Sequence, residues 1–121
     1  MLTQIRLNSK IKFARPQTLE HDGIVLNRLS HEISVLGQPH HLCYKEFDLL
    51  WLLMECRGAI VRLKDIKELV WGHTWAVSEG TISRYVERIC EKLGVETGKL
   101  IVSIPTLGYK LETPKSGTKT P

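Results

Sequence analysis

Residues 77–93, VSEGTISRYVERICEKL, decide the fold, because they read as one amphipathic helix with both ends marked. The apolar residues recur at the spacing that places side chains on one face of a 3.6-residue helix. These residues are Ile82, Val86, Ile89 and Leu93. Ser78 can accept a hydrogen bond from the first free backbone N–H groups, and Gly94 is a typical helix stop. The stretch therefore predicts a helix with one buried face.

A second stripe of the same helix lies beside the buried face and consists of Thr81, Arg84, Arg88 and Lys92. Arg84 and Arg88 stack one turn apart, and Glu87 projects about 100° away from Arg88. Such a stripe is found on helices that bind DNA, but also on ordinary surface helices whose charges are solvated. Three glutamates cancel the three cations of the segment. The helix alone therefore leaves both interpretations open.

Length and composition indicate an ordinary globular domain. A chain of 121 residues is long enough for one domain with one core. The net charge of +4 and the pI near 9.1 fit an anionic partner without requiring one. The longest apolar run, at 47–54, is far shorter than the ~20 residues that cross a bilayer, and the N-terminus lacks a signal-peptide pattern. We therefore expect a soluble chain.

The cysteines and histidines do not form a recognisable site. Cys43, Cys56 and Cys90 are widely spaced and contain no C-x-x-C pair, which favours a reducing compartment. Cys56 and Cys90 fall in predicted helices, where we expect buried or half-buried apolar groups. His40 and His41 are adjacent, so on a strand they point to opposite faces and do not chelate as a pair. With no catalytic motif in view, the sequence predicts no enzyme, no metal site, no cofactor and no small-molecule substrate.

The segments before residue 77 predict a small sheet followed by two helices. We expect short strands in 1–20, strands at 24–26, 32–35 and 41–43 with a turn at 36–39, a buried helix at 44–57 that ends at Gly58, an extended link at 59–61, and a helix at 63–72. Trp51 and Trp71 are assigned to the core. After Gly94 the pattern becomes extended and predicts a hairpin with strands at 100–104 and 109–111 around a turn at 105–108.

Three helices followed by a hairpin is the element order of a winged helix-turn-helix. Residues 42–111 resemble the DNA-binding domain of OmpR/PhoB-type transcription regulators, through four blocks in the family's order and spacing. The blocks are KEFDLL at 45–50, LVWG at 69–72, the helix at 77–93 and GYKL at 108–111. The resemblance implies an α+β winged helix-turn-helix with an N-terminal antiparallel β-sheet, a three-helix core and a C-terminal β-hairpin wing. We expect 1–43 to form strands of the same domain, 44–112 the winged helix-turn-helix, and 113–121 a disordered tail or linker.

The wing sequence SIPTLGY, at 103–109, is similar to the ToxR/CadC-like branch of the family, whose wings carry a proline at this point. That branch often joins the domain to a membrane segment and lacks a receiver domain. A receiver would need roughly another domain's length. We therefore expect no phosphoryl control within this chain. The expected location is cytoplasmic, with the cytoplasmic part of a membrane-anchored bacterial regulator as the alternative for a truncated chain.

The resemblance implies a sequence-specific regulator that places helix 78–93 in the major groove of double-stranded promoter DNA and uses hairpin 100–111 as the wing. Arg88 matches an arginine that family members direct at base edges, and guanine is the expected target. The other implied contacts are Ser78, Thr81, Arg84, Tyr85 and Lys92 on the helix and Thr106, Leu107 and Lys110 on the wing. A homodimer on tandem half-sites is also implied. The loop with His73, Thr74 and Trp75 matches a loop through which some members engage RNA polymerase, although Trp75 packed back on the helices is an equal alternative.

Departures from the family pattern fall on the implied DNA-facing and helix-capping positions. Cys90, Glu87 and Glu91 stand where basic residues are usual or frequent, and the wing tip carries no charge. Weak non-specific affinity is predicted, because each neutralised phosphate contributes about 0.9 to the salt dependence of binding. The same departures support an alternative, a winged-helix protein-interaction module that acts through a partner regulator. Cys43 and Arg62 replace capping residues, which puts the local stability of two helix starts in question.

Overall fold

The computed structural model describes residues 17–72 and 77–112, which form two antiparallel sheets and four helices. The first sheet contains β1 (Thr18–His21), β2 (Ile24–Asn27), β3 (Glu32–Val35) and β4 (Gln38–His40). The helices are α1 (Tyr44–Glu55), α2 (Leu63–Trp71), α3 (Glu79–Leu93) and α4 (Val95–Gly98). The second sheet contains β5 (Val61–Arg62), β6 (Ile101–Ile104) and β7 (Gly108–Leu111). None of the described helices is long and apolar enough to cross a membrane.

The first sheet has the strand order β1-β2-β3-β4, and alternate residues of its central strands face the core. The turn between β3 and β4 is Leu36-Gly37, both with positive φ, which is the backbone of a tight two-residue hairpin. The predicted strand at 41–43 was therefore wrong, because pairing resumes directly after this turn, at Gln38. Pro39 is tolerated there since β4 is an edge strand. Of the strands expected in 1–20, only β1 lies within the described residues.

Helix α1 lies in the middle of the core, as its continuous apolar sequence predicted. Its fully buried apolar side chains are Phe47, Leu49, Leu50 and Leu53. The helix ends at Glu55 rather than at 57, because Arg57 and Gly58 both adopt positive φ and cannot continue it. Trp51 is buried as predicted. Trp71 is only half-buried and packs against the core from its surface.

Helix α3 has the buried face and the C-terminal end that the sequence predicted, and it begins at Glu79, directly after its N-cap Ser78. Ser78 Oγ accepts a hydrogen bond of 3.1 Å from the Thr81 N–H, and the helix stops at Gly94, with φ of +96°. Its buried residues are Ile82, Val86, Ile89 and Leu93. The one-turn helix α4 follows and was not predicted, because four residues are too few to show a helical period. A Cβ at Gly98 would lie 2.7 Å from the Cys90 carbonyl oxygen, so the close approach of α4 to α3 requires glycine.

The second sheet has the order β5-β7-β6, so the predicted two-stranded hairpin is part of a three-stranded sheet. The segment expected as an extended link supplies β5, in which Val61 pairs with Tyr109 and Arg62 with Gly108. The Leu63 N–H also donates a 2.9 Å hydrogen bond to the Leu107 carbonyl oxygen. The wing is therefore anchored to the start of α2.

Candidate nucleic-acid interface

Most of the predicted basic stripe of α3 is exposed to solvent. Thr81, Arg84 and Arg88 are exposed, and Tyr85 between them is half-buried. A shallow surface depression brings together five of the six residues predicted on the recognition helix, together with Gly80. Its lining residues are Ser78, Gly80, Thr81, Arg84, Tyr85 and Arg88. These lining residues therefore form a continuous surface.

Ser78 has a structural role at the start of this surface. Its hydroxyl oxygen accepts from the Thr81 N–H and lies 3.1 Å from the Thr81 hydroxyl oxygen. Glu79 follows in the first turn, where a negative charge is favourable beside the positive end of the helix dipole. The capping interactions hold the first turn of α3 in place.

Lys92 does not belong to the continuous surface, because its ammonium group is bound by a buried carboxylate. Lys92 Nζ lies 2.8 Å from Glu46 Oε1, and the Glu46 side chain is 1% exposed. The same oxygen accepts a 2.9 Å hydrogen bond from the Cys43 N–H at the start of α1. Burial alone raises the pKa of the Glu46 carboxyl, but the hydrogen bonds from Lys92 and Cys43 outweigh it and leave that pKa below 4.5. This ion pair ties the last turn of α3 to α1.

Glu46 was missed by the sequence analysis, although a signal for it exists. It is the one acidic residue in the first turn of α1, and a strongly apolar run begins directly after it at Phe47. An acid at the third helical position commonly accepts from the N-cap N–H, which is what Glu46 does for Cys43. Cys43 and Glu46 therefore form a capping box at the start of α1, whereas the Arg62 side chain makes no capping hydrogen bond at α2.

The wing places its tip beside the first turns of α3. A groove between the two is lined by residues of both elements, among them Glu79, Ser83, Ser103 and Thr106. Thr106 is exposed with φ of +65°, and Leu107 is 43% exposed.

Two cations lie on the wing sheet, one predicted and one missed. Lys110 is half-buried, with its Nζ 3.5 Å from Glu112 Oε2. Arg62 is exposed and pairs across the sheet with Gly108, next to the tip. Arg62 was expected only as a poor helix cap, because the sequence does not show the pairing of β5 with β7.

The polymerase-contact loop, the cysteines and the candidate metal ligands do not form a site within the described residues. His73, Thr74 and Trp75 lie outside them. Cys56 and Cys90 are half-buried as predicted, and burial, followed by nearby acidic groups, raises the pKa of both thiols. No cluster of His, Cys, Asp or Glu in 17–72 and 77–112 could hold a metal ion.

Comparison with known proteins gives the class and then the family. Residues 37–111 match the family model described as "Transcriptional regulatory protein, C terminal". The chain belongs to this family. Response regulator SaeR of Staphylococcus epidermidis is 33% identical over 98 residues, as is SaeR of Staphylococcus aureus. Each alignment covers 79% of this chain and 43% of the relative, so the chain spans less than half the length of these curated relatives.

Solved structures confirm the winged-helix fold class. The DNA-binding domain of CpxR from E. coli superposes with a TM-score of 0.73 at 28% identity, covering 81% of this chain and 98% of that one. The Klebsiella pneumoniae RstA DNA-binding domain, solved in complex with the RstA box, superposes with a TM-score of 0.71 at 18% identity. The superposition covers 80% of this chain and 98% of that one. The ToxR/CadC-like branch stays a prediction.

Proposed function

We propose that this chain binds double-stranded promoter DNA in a sequence-specific way and regulates transcription. Helix α3 would lie in the major groove, which admits an α-helix, and the β5-β7-β6 sheet would serve as the wing. The observation that carries the proposal is the exposed pair Arg84 and Arg88, one turn apart on the side of α3 away from the core. Family membership supports it. Two similar folds were solved with DNA, RstA with the RstA box and AdeR with an intercistronic region.

Within this proposal some side chains of α3 contact DNA and others stabilise the helix. Arg88 reads a guanine edge, because its fork of donors matches the two acceptors that guanine presents in the major groove. Thr81 and Arg84 bind phosphates and set the register of the helix on the duplex. Ser78 and Lys92 support the helix from within the protein, since both already have partners.

The wing contributes phosphate and groove contacts. Thr106 and Leu107 lie against the backbone or minor groove, and Arg62 beside them supplies a positive charge. Lys110 can exchange its 3.5 Å pairing with Glu112 for a phosphate, because partly exposed ion pairs of this kind are weak.

The proposal has wider parts that rest on the family resemblance. Strands of 1–43 and the winged helix-turn-helix of 44–112 would act as one domain, which the 3.1 Å contact between His21 Nε2 and the Glu112 carbonyl oxygen supports. The chain would form a homodimer on tandem half-sites and engage RNA polymerase through the loop at 73–75. It would bind rather than catalyse, and it would act in the cytoplasm.

The test is binding of the purified chain to a pool of genomic promoter fragments at two salt concentrations, with Arg88→Ala alongside. We expect selective retention of some fragments, weaker retention at high salt, and loss of selectivity in the variant. Glu32→Gln is a control, since it changes an exposed charge on the first sheet rather than on α3.

The charge of α3 favours a second candidate function, the protein-interaction module. With Lys92 neutralised by Glu46, the exposed residues Glu79, Glu87 and Glu91 outnumber Arg84 and Arg88. A surface on which acidic side chains outnumber basic ones attracts DNA weakly. A folded chain that retains no fragment even at low salt, with Arg88→Ala harmless to regulation, would favour the module over the DNA-binding regulator.

A further inference from the structure

The Tyr85 ring lies between Trp71, at the end of α2, and Arg88, one turn further along α3. The Tyr85 and Trp71 ring centroids are 5.2 Å apart, and the two planes meet at 84°. The guanidinium carbon of Arg88 lies 5.7 Å from the Tyr85 centroid. Trp71 and Tyr85 are half-buried against the core, whereas Arg88 is exposed. These three residues, here named the aromatic column, connect the core to the exposed cation.

The aromatic column restrains the Arg88 side chain. A tyrosine face attracts a guanidinium within about 6 Å of its centroid, because the ring quadrupole presents negative charge there. The near-perpendicular angle is the edge-to-face geometry that aromatic pairs prefer, so Trp71 in turn restrains Tyr85. Within the described part of the chain no acidic side chain forms an ion pair with Arg88. Among the described residues, Tyr85 is therefore the group that orients this guanidinium in the free protein.

Orientation matters more for reading a base than for binding a phosphate. A bidentate contact to guanine needs the planar guanidinium at the base edge in one orientation. A side chain that is already held near that orientation loses less conformational freedom when it binds. Phosphate contacts carry no sequence information directly. A residue that orients Arg88 should therefore act on discrimination between DNA sequences.

We propose that Tyr85, supported by Trp71, is a positioning residue that orients the Arg88 guanidinium toward a base edge and does not itself contact DNA. This inference rests on the proposed function, because it assigns sequence discrimination to Arg88. It differs from the role that the family resemblance implies for Tyr85, which is a direct contact near the phosphates or bases.

The first test uses the whole chain and two duplexes of equal length, one recovered from the promoter pool and one of unrelated sequence. Tyr85→Leu should lower affinity for the recovered duplex roughly three- to tenfold, which corresponds to a partly exposed cation–π contact. Affinity for the unrelated duplex should not change. In an Arg88→Ala background the same substitution should have no further effect. Tyr85→Phe keeps the ring and should restore discrimination.

Tyr44→Leu is the matched control, because Tyr44 is an exposed tyrosine over which no guanidinium lies in the described residues. It should leave discrimination between the duplexes unchanged. The second test needs no DNA. Nuclear spin relaxation of the Arg88 Nε–Hε group in the free chain should show larger motion in Tyr85→Leu and a smaller increase in Trp71→Leu, but wild-type motion in Tyr85→Phe.

The outcomes separate this inference from the proposed function. A loss of affinity that is equal for both duplexes, or that persists in the Arg88→Ala background, would mean that Tyr85 contacts DNA directly and would overturn the positioning role. Unchanged Arg88 motion in Tyr85→Leu would also overturn it. If the wild-type chain binds both duplexes equally, the proposed function fails, while the relaxation measurement still decides whether Tyr85 restrains Arg88.

Discussion

Arg88 and Lys92 lie one turn apart on α3, and the sequence assigns both to one basic stripe, yet the structure gives them different surroundings. Arg88 is exposed with its guanidinium over the Tyr85 ring. Lys92 is bound to Glu46, a residue buried on α1. Equal charge and helical spacing therefore do not imply equal roles. The neighbouring groups, Glu46 of α1 for Lys92 and Tyr85 of α3 for Arg88, decide which cation stays available for a ligand.

The largest expected effect is a difference in protein stability between substitutions of Lys92 and of Arg88. Lys92→Met should lower the free energy of unfolding by about 2–4 kcal/mol, because it leaves the Glu46 carboxylate buried without its cation. The value is below that of a fully buried pair, since the Lys92 side chain is 36% exposed. Urea denaturation measures the change in the free energy of unfolding. Arg88→Met is the control and should change stability by no more than about 0.5 kcal/mol.

Two results would bear on that prediction. The double variant Glu46→Met with Lys92→Met should recover most of the loss, because apolar side chains can replace a buried ion pair. Equal destabilisation by Lys92→Met and Arg88→Met would contradict the comparison.

The next effect separates the two cations by DNA binding. Arg88→Ala should reduce the preference for a recovered duplex over an unrelated one by about 1–3 kcal/mol, the value of a bidentate base contact. Lys92→Met, measured at a temperature where it is still folded, should keep the preference. Fluorescence anisotropy with both duplexes measures the ratio of the two affinities. A preference that falls equally in both variants would place Lys92 on the DNA face after all.

The pH dependence of stability sharpens the comparison further. The Glu46 pKa is lower in the folded state, so the unfolded chain binds more protons in this range. The contribution of Glu46 is therefore present above pH 4.5 and is lost as the pH falls through the folded pKa. The free energy of unfolding should therefore fall as the pH is lowered from 5 to 3.

In Lys92→Met this pH dependence of stability should shrink, because the Lys92 hydrogen bond and charge no longer lower the Glu46 pKa against the effect of burial. Thermal unfolding of both proteins over this pH range is the measurement. Parallel pH profiles would exclude the ion pair of Glu46 with Lys92 as the source of this pH dependence.

The smallest expected effect concerns the acidic side of α3. Glu87→Gln and Glu91→Gln should each raise affinity for unrelated DNA at low salt by up to about fivefold, because exposed charges interact weakly across solvent. Glu32→Gln, an exposed glutamate of the first sheet, is the control. Nitrocellulose filter binding at two salt concentrations measures the affinity of each variant for unrelated DNA. Equal affinity in all three variants would mean that this side of α3 does not approach DNA.

Much of the fold follows from local patterns in the sequence. The period of Ile82, Val86 and Ile89 predicted the buried face of α3, and Ser78 and Gly94 predicted its ends. Gly37 indicated the turn after β3, although the strand that follows was placed too late. Helix α4 and strand β5 were missed, because one turn of helix and two residues of strand are too short to carry a period.

The sequence by itself determined which residues are apolar, at what spacing, and which residues can begin or end a helix. These properties act between residues a few positions apart, so they can be read along the chain. Only the tertiary structure decided that Lys92 binds Glu46, that Arg62 lies beside the wing tip, and that Tyr85 contacts Trp71. Each of these contacts joins residues that are distant in sequence and meet through the packing of separate elements, which no local period specifies.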